Sequence, residues 1–117
     1  GLPGETDGDV GAIVRLVERT AAVLPTKVAV APFVPKRFTP LAGAPLVPKA
    51  ELQRRARRLR AELRRLRNVA VTIGSIREAQ VETLLSQGGR EVADLLIQGK
   101  NALRAAAARF CAEREGA

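Results

Sequence analysis

The chain has 117 residues, 46% hydrophobic and 27% charged, the balance of one globular domain rather than of a disordered segment. No apolar run approaches the ~18 residues a membrane helix requires; with no His and a single Cys, neither an internal disulfide nor a protein-only zinc site is expected. The net charge of +8 has one source: without the eight arginines between Arg54 and Arg67, 12 basic residues face 12 acidic ones.

Gly1-Leu-Pro-Gly-Glu-Thr-Asp7 reads as a loop, acidic and without the basic flank of a signal peptide, so a cytoplasmic chain is expected. Thr6 is a predicted N-cap with Asp9 three residues on, and Asp7 falls in the first turn, where carboxylates complement the helix dipole. Val10, Ile13, Val14, Val17 and Ala21 then follow at helical spacing, which predicts an amphipathic helix over Gly8–Val23. Pro25 closes it.

The apolar run Val28–Val34 lacks polar alternation and predicts a short strand covered on both faces, as in a parallel sheet. Pro32 cannot donate to a ladder and marks where the strand turns into loop. Pro35–Thr39 is a stiff basic loop at the strand's C-terminal end, where α/β folds place ligands; the pattern equally fits a proline-rich connector. After a loop over Leu41–Val47, a long helix is predicted from Pro48 to Arg67. Leu52, Ala56, Leu59, Leu63 and Leu66 form its apolar stripe and arginines fill the other faces. Val69–Ile73 is a second strand, stopped by Gly74. Ser75 and Glu78 make a capping box for a helix carrying Ala79, Val81, Leu84 and Leu85, with a left-handed C-cap expected at Gly88–Gly89. Glu91 to Arg114 is helical again, with a break at Gly99, and the tract Ala105–Ala108 has little to bury. No internal repeat is present.

The order helix, strand, helix, strand, helix, helix predicts α/β with two short parallel strands, crossover helices and a C-terminal helical tail. Two strands make a poor sheet, so a partner chain completes it or the chain is part of a larger barrel. Its opening on a helix N-cap loop fits a piece of something longer.

GLPGETD lacks the Gly-Lys-Ser/Thr of a phosphate loop and the spacing of a dinucleotide fingerprint. Glu5, Asp7 and Asp9 read as capping and dipole residues rather than cation ligands. Taken together with Val10 and the helix after it, however, GLPGETD resembles the loop–helix step late in the barrel of radical S-adenosylmethionine iron–sulfur enzymes. The run Val28-Ala-Val-Ala-Pro-Phe-Val-Pro-Lys-Arg-Phe-Thr-Pro-Leu41 resembles the next strand in the branch that often carries a cobalamin-binding domain. The downstream GSIREAQ and LLSQGGREVA are similar to the same branch, so the resemblance covers most of residues 1–97. It implies late βα units of a partial (β/α) barrel over 1–75 and a helical extension over 76–117. It further implies that Leu2, Pro3, Gly4, Ala31, Pro32, Phe33 and Val34 line the cofactor's adenosine, with Lys36, Arg37 and Thr39 on the substrate side.

The family's S-adenosylmethionine is cleaved at a 4Fe–4S cluster held by CxxxCxxC. This chain has only Cys111, so the cluster ligands must lie in a missing N-terminal part and the piece alone is expected to be inert. Whether cobalamin is used rests on residues outside this sequence. The alternative reading is a non-enzymatic basic interaction module that oligomerises through exposed sheet edges and binds acidic partners or nucleic acid. In either case a homo-oligomer is expected from unpaired strand edges. The arginine helix reads as a solvated outer face. Nucleic acid is disfavoured as a partner because the arginines surround the helix and no aromatic interleaves them for stacking. Cys111 has no His as base and reads as a buried or idle thiol.

Overall fold

The computed structural model describes residues 1–116. Five helices and two strands follow one another as α1 (Asp7–Ala21), β1 (Thr26–Val30), α2 (Lys49–Arg64), β2 (Val69–Ile73), α3 (Ile76–Gln87), α4 (Val92–Gln98) and α5 (Lys100–Ala112). α1 starts as its sequence dictates: the Thr6 N–H donates to Asp9 Oδ2 at 2.7 Å and the Asp9 N–H to Thr6 Oγ1 at 3.3 Å, a full capping box.

β1 and β2 pair in parallel, in register from Thr26 opposite Val69 to Val30 opposite Ile73. The ladder ends at Val30, two residues before Pro32, with a last bond from the Gly74 N–H to Val30 O at 2.8 Å. Coverage of both faces is not found. Val28, Val30, Val69, Val71 and Ile73 share one face and pack on Val10, Val17, Leu59 and Leu63, the buried centre supplied by α1 and α2. Lys27, Ala29, Ala70 and Thr72 point the other way and are exposed. The reason is topological: both helices lie on the same side of the sheet, and nothing among the described residues covers the second face.

The helices after β2 build a second apolar centre from Leu84, Val92 and Ala107, flanked by Val81, Leu95, Leu103, Ala106 and Phe110. The alanine tract therefore buries more than expected. Ala107 is fully enclosed, its small side chain letting α5 lie close against its neighbours. Gly99 (φ +106°) breaks α4 from α5, as expected of a residue without Cβ. Gly88 is not the left-handed cap predicted, since its backbone is extended (φ −69°, ψ 159°). Glycine is needed there for space, because a Cβ would sit 2.7 Å from Leu84 O. Only half of the second capping box forms. Ser75 Oγ accepts from the Glu78 N–H at 3.2 Å, and no reciprocal bond is present among the described residues.

A strap ties the end of the described chain to its middle. The Leu46 N–H donates to Arg114 O and the Gly116 N–H to Leu46 O, both at 2.9 Å. The Lys49 N–H donates to Glu115 Oε1 at 3.1 Å, so the carboxylate caps α2 where Pro48 has no acceptor to offer. The molecule is elongated, 49 × 28 × 25 Å with a radius of gyration of 16.2 Å, against about 13 Å for a compact domain of this length.

Candidate functional site

At the C-terminal ends of β1 and β2 a cavity of about 360 Å³ opens between the first loop and α2. That is the size of a small-molecule site, and it sits where parallel α/β sheets receive ligands. β1 and the residues after it contribute Val30, Ala31, Pro32 and Phe33; β2 and the residue after it contribute Ile73 and Gly74; the first loop contributes Leu2 and Glu5; α2 contributes Leu52, Arg55 and Ala56. Gly74 lets the two strand ends close up, its Cα position leaving a Cβ only 3.2 Å from Pro32.

Of the residues assigned by resemblance to the adenosine side, Leu2, Ala31, Pro32 and Phe33 come together on this cavity, while Pro3, Gly4 and Val34 do not line it. Pro3 and Gly4 shape the loop instead. The Glu5 N–H donates to Leu2 O at 3.0 Å across them, and Gly4 has φ +80°. Pro then Gly with positive φ between such partners is the arrangement of a type II turn. Val34 is half-buried further along the loop, next to the buried Pro35.

Lys36, Arg37 and Thr39 lie away from the cavity, on a loop fastened to the end of α3. Lys36 Nζ pairs with Glu82, and Arg37 donates from its guanidinium to Gln87 O at 2.5 Å and from its backbone to Ser86 Oγ at 3.3 Å. Thr39 Oγ1 donates to Lys36 O at 2.7 Å, and Gln87 Nε2 donates to Pro35 O and Ala42 O at 3.1 and 2.7 Å.

Sequence reasoning missed the polar corner of the cavity. Arg55 Nη1 lies 2.9 Å from Glu5 Oε2, with the two side chains 13% and 16% exposed, and Arg55 Nη2 donates to Glu5 O at 3.2 Å. Glu51 holds the same guanidinium from the other side at 2.8 Å. Nothing local distinguishes Arg55 from seven neighbouring arginines, and its partner is 50 positions away. The remaining walls are apolar, so the site suits a compact, largely apolar ligand with one polar edge.

A smaller void of about 30 Å³ shares Pro32, Phe33, Leu52 and Ile76 with this cavity and reaches Thr83 and Cys111. Burial pushes the Cys111 thiol up, with Thr83 and Arg114 acting the other way, and its Sγ lies 3.7 Å from Gln80 O. A thiol held protonated is a poor nucleophile and a poor ligand. Among the described residues there is no group of three or more His, Cys, Asp or Glu placed to hold a metal, and no helix is long and apolar enough to cross a membrane. Comparison with protein-family models, with curated proteins and with solved structures finds no match for this chain.

Proposed function

We propose that the chain is the C-terminal part of a radical S-adenosylmethionine iron–sulfur oxidoreductase, cytoplasmic, contributing adenosine-side loops to a barrel whose earlier strands lie elsewhere. The observation that carries this reading is the cavity. Leu2 and Ala31–Phe33, 29 or more positions apart in sequence, meet there at the strand ends. The one-sided sheet supports it as well. In a barrel wound in one direction all crossover helices lie outside, so the bare Lys27, Ala29, Ala70 and Thr72 face would look inward. The cavity, bounded by Val30 and Ile73 of the helix-covered face, would sit at the rim of the strand ends rather than in the barrel's interior.

The residues present fit a nucleoside. Apolar walls from Leu2, Pro32, Phe33 and Leu52 would sandwich a flat base, and the Glu5–Arg55 corner offers an acceptor beside donors. They do not fit the iron–sulfur cluster, for which one buried cysteine supplies neither the number nor the thiolate state. The chemistry of the family is reductive cleavage of S-adenosylmethionine, and this chain's share is to hold the adenosine and exclude water around it. The basic loop from Lys36 to Thr39 would form an outer wall on the substrate side, and no residue here is assigned to cobalamin.

The test is the in-frame coding sequence upstream of Gly1, with the longer product purified without oxygen. A CxxxCxxC, iron–sulfur absorbance and release of 5′-deoxyadenosine from S-adenosylmethionine are expected. An upstream frame without CxxxCxxC overturns the reading.

A further inference from the structure

The charge of α2 is sorted onto two flanks. On one, Arg54 bonds Glu51 and Asp7 at 2.5–2.7 Å, Arg55 bonds Glu5 and Glu51 at 2.8–2.9 Å, and Arg58 bonds Glu62 at 2.8 Å. On the other lie Gln53, Arg57, Arg60 and Arg64, which at about 100° per residue fall within roughly 60° of arc. Among the described residues no carboxylate is within ion-pair distance of Arg57, Arg60 or Arg64. The arginines that surround the helix in sequence thus resolve into a neutralised flank and a free one. Arg57 and Arg60 also wall an open groove of about 350 Å³, closed on its far side by Ile73–Ile76.

We infer that this free flank docks the phosphate backbone of a nucleic acid, independently of the function proposed above. The three guanidiniums rise by about 5 Å per step along the helix. A polymer bearing a charge about every 3.4 Å of strand can meet such a row without a fixed register. The planar guanidinium fork suits phosphate oxygens in pairs. A lipid surface fits less well, because none of the large exposed apolar side chains belongs to α2 and interfacial helices insert such groups. No aromatic lies on the flank or in the groove, so bases are not stacked and binding is independent of sequence.

The test is anisotropy of a labelled random-sequence RNA and of a DNA duplex against the whole chain, titrated with salt. For about three phosphates neutralised, log K falls against log salt with a slope of about −2 to −3. Replacing Arg57, Arg60 and Arg64 together by Gln is expected to weaken binding at least about tenfold at low salt and flatten that slope. Arg54→Gln with Arg58→Gln, on the neutralised flank, leaves both nearly unchanged. The single exposed reversal Arg57→Glu repeats the loss should the triple variant unfold. Absence of binding at low salt, indifference to these substitutions, or equal competition by polyglutamate or anionic vesicles overturns the inference.

Discussion

Phe38 is the residue whose placement folding explains least. It is 96% exposed and has φ +65°, a left-handed conformation in which its Cβ is crowded and its ring touches little. Such a backbone costs about 1–2 kcal/mol for a residue with a Cβ, whereas Asn tolerates it. The bonds from Gln87 Nε2 to Pro35 O and Ala42 O, and from Arg37 to the end of α3, hold the loop in spite of this. Phe38→Asn is therefore expected to stabilise the protein by about 0.5–1 kcal/mol, read as a higher urea midpoint with unchanged slope. A lower midpoint would mean the ring has a partner within the fold. Nothing in the sequence marks Phe38 as left-handed, because the conformation is imposed from α3, some fifty positions away. By contrast Pro3-Gly4 carries its turn in its own chemistry, although its assignment by resemblance was to the ligand rather than to the turn.

Among the elements, α2 has the most pH-sensitive foundation. Hydrogen bonds from Arg54, then Arg55, hold the Glu51 carboxyl down at about 2 against an ordinary value of 4.5. A carboxylate depressed in the folded state adds stability that is whole above its unfolded value and fades as pH falls through the folded one. Glu51 thus supports the helix fully above about pH 4.5 and progressively less towards pH 2. Asp9 behaves alike, lowered first by the Thr6 backbone N–H and then by the Thr6 hydroxyl. Urea midpoints measured from pH 6 to pH 2 are expected to show Glu51→Gln destabilised at neutral pH, the gap to the parent closing on the acid side. A gap constant over that range contradicts the pairing. Elements with local signals were the legible ones: the Thr6–Asp9 box, both β-branched strands and the break at Gly99. The extended Gly88 was not, since its need for glycine comes from the Leu84 carbonyl of α3 and the Val92 side chain that opens α4, and the Gly-Gly pair by itself reads equally as a left-handed cap.

The whole molecule exposes 7659 Å², where a compact monomer of this mass exposes about 6,200 Å². The excess reflects two small apolar centres in a line and a two-stranded sheet with one bare face and both edges open. Open edges of parallel strands are templates for further pairing. Sedimentation velocity is expected to show concentration-dependent self-association at micromolar protein, and a single monomeric species throughout would count against it. The order and type of elements could be read from periodicity. Their stacking on one side of the sheet could not, because the bare face carries Lys27, Ala29, Ala70 and Thr72, of which only Lys27 is charged.

The strap from Leu46 to residues 114–116 bears on how the protein is made. Glu115 caps α2 from 66 positions downstream. While the chain is being synthesised, α2 has its arginines and its apolar stripe but an open first turn. That turn closes only once Glu115 has been released. The helix on which both the cavity and the free arginine flank depend is thus translated before β2, α3, α4 and α5 and finished only after them.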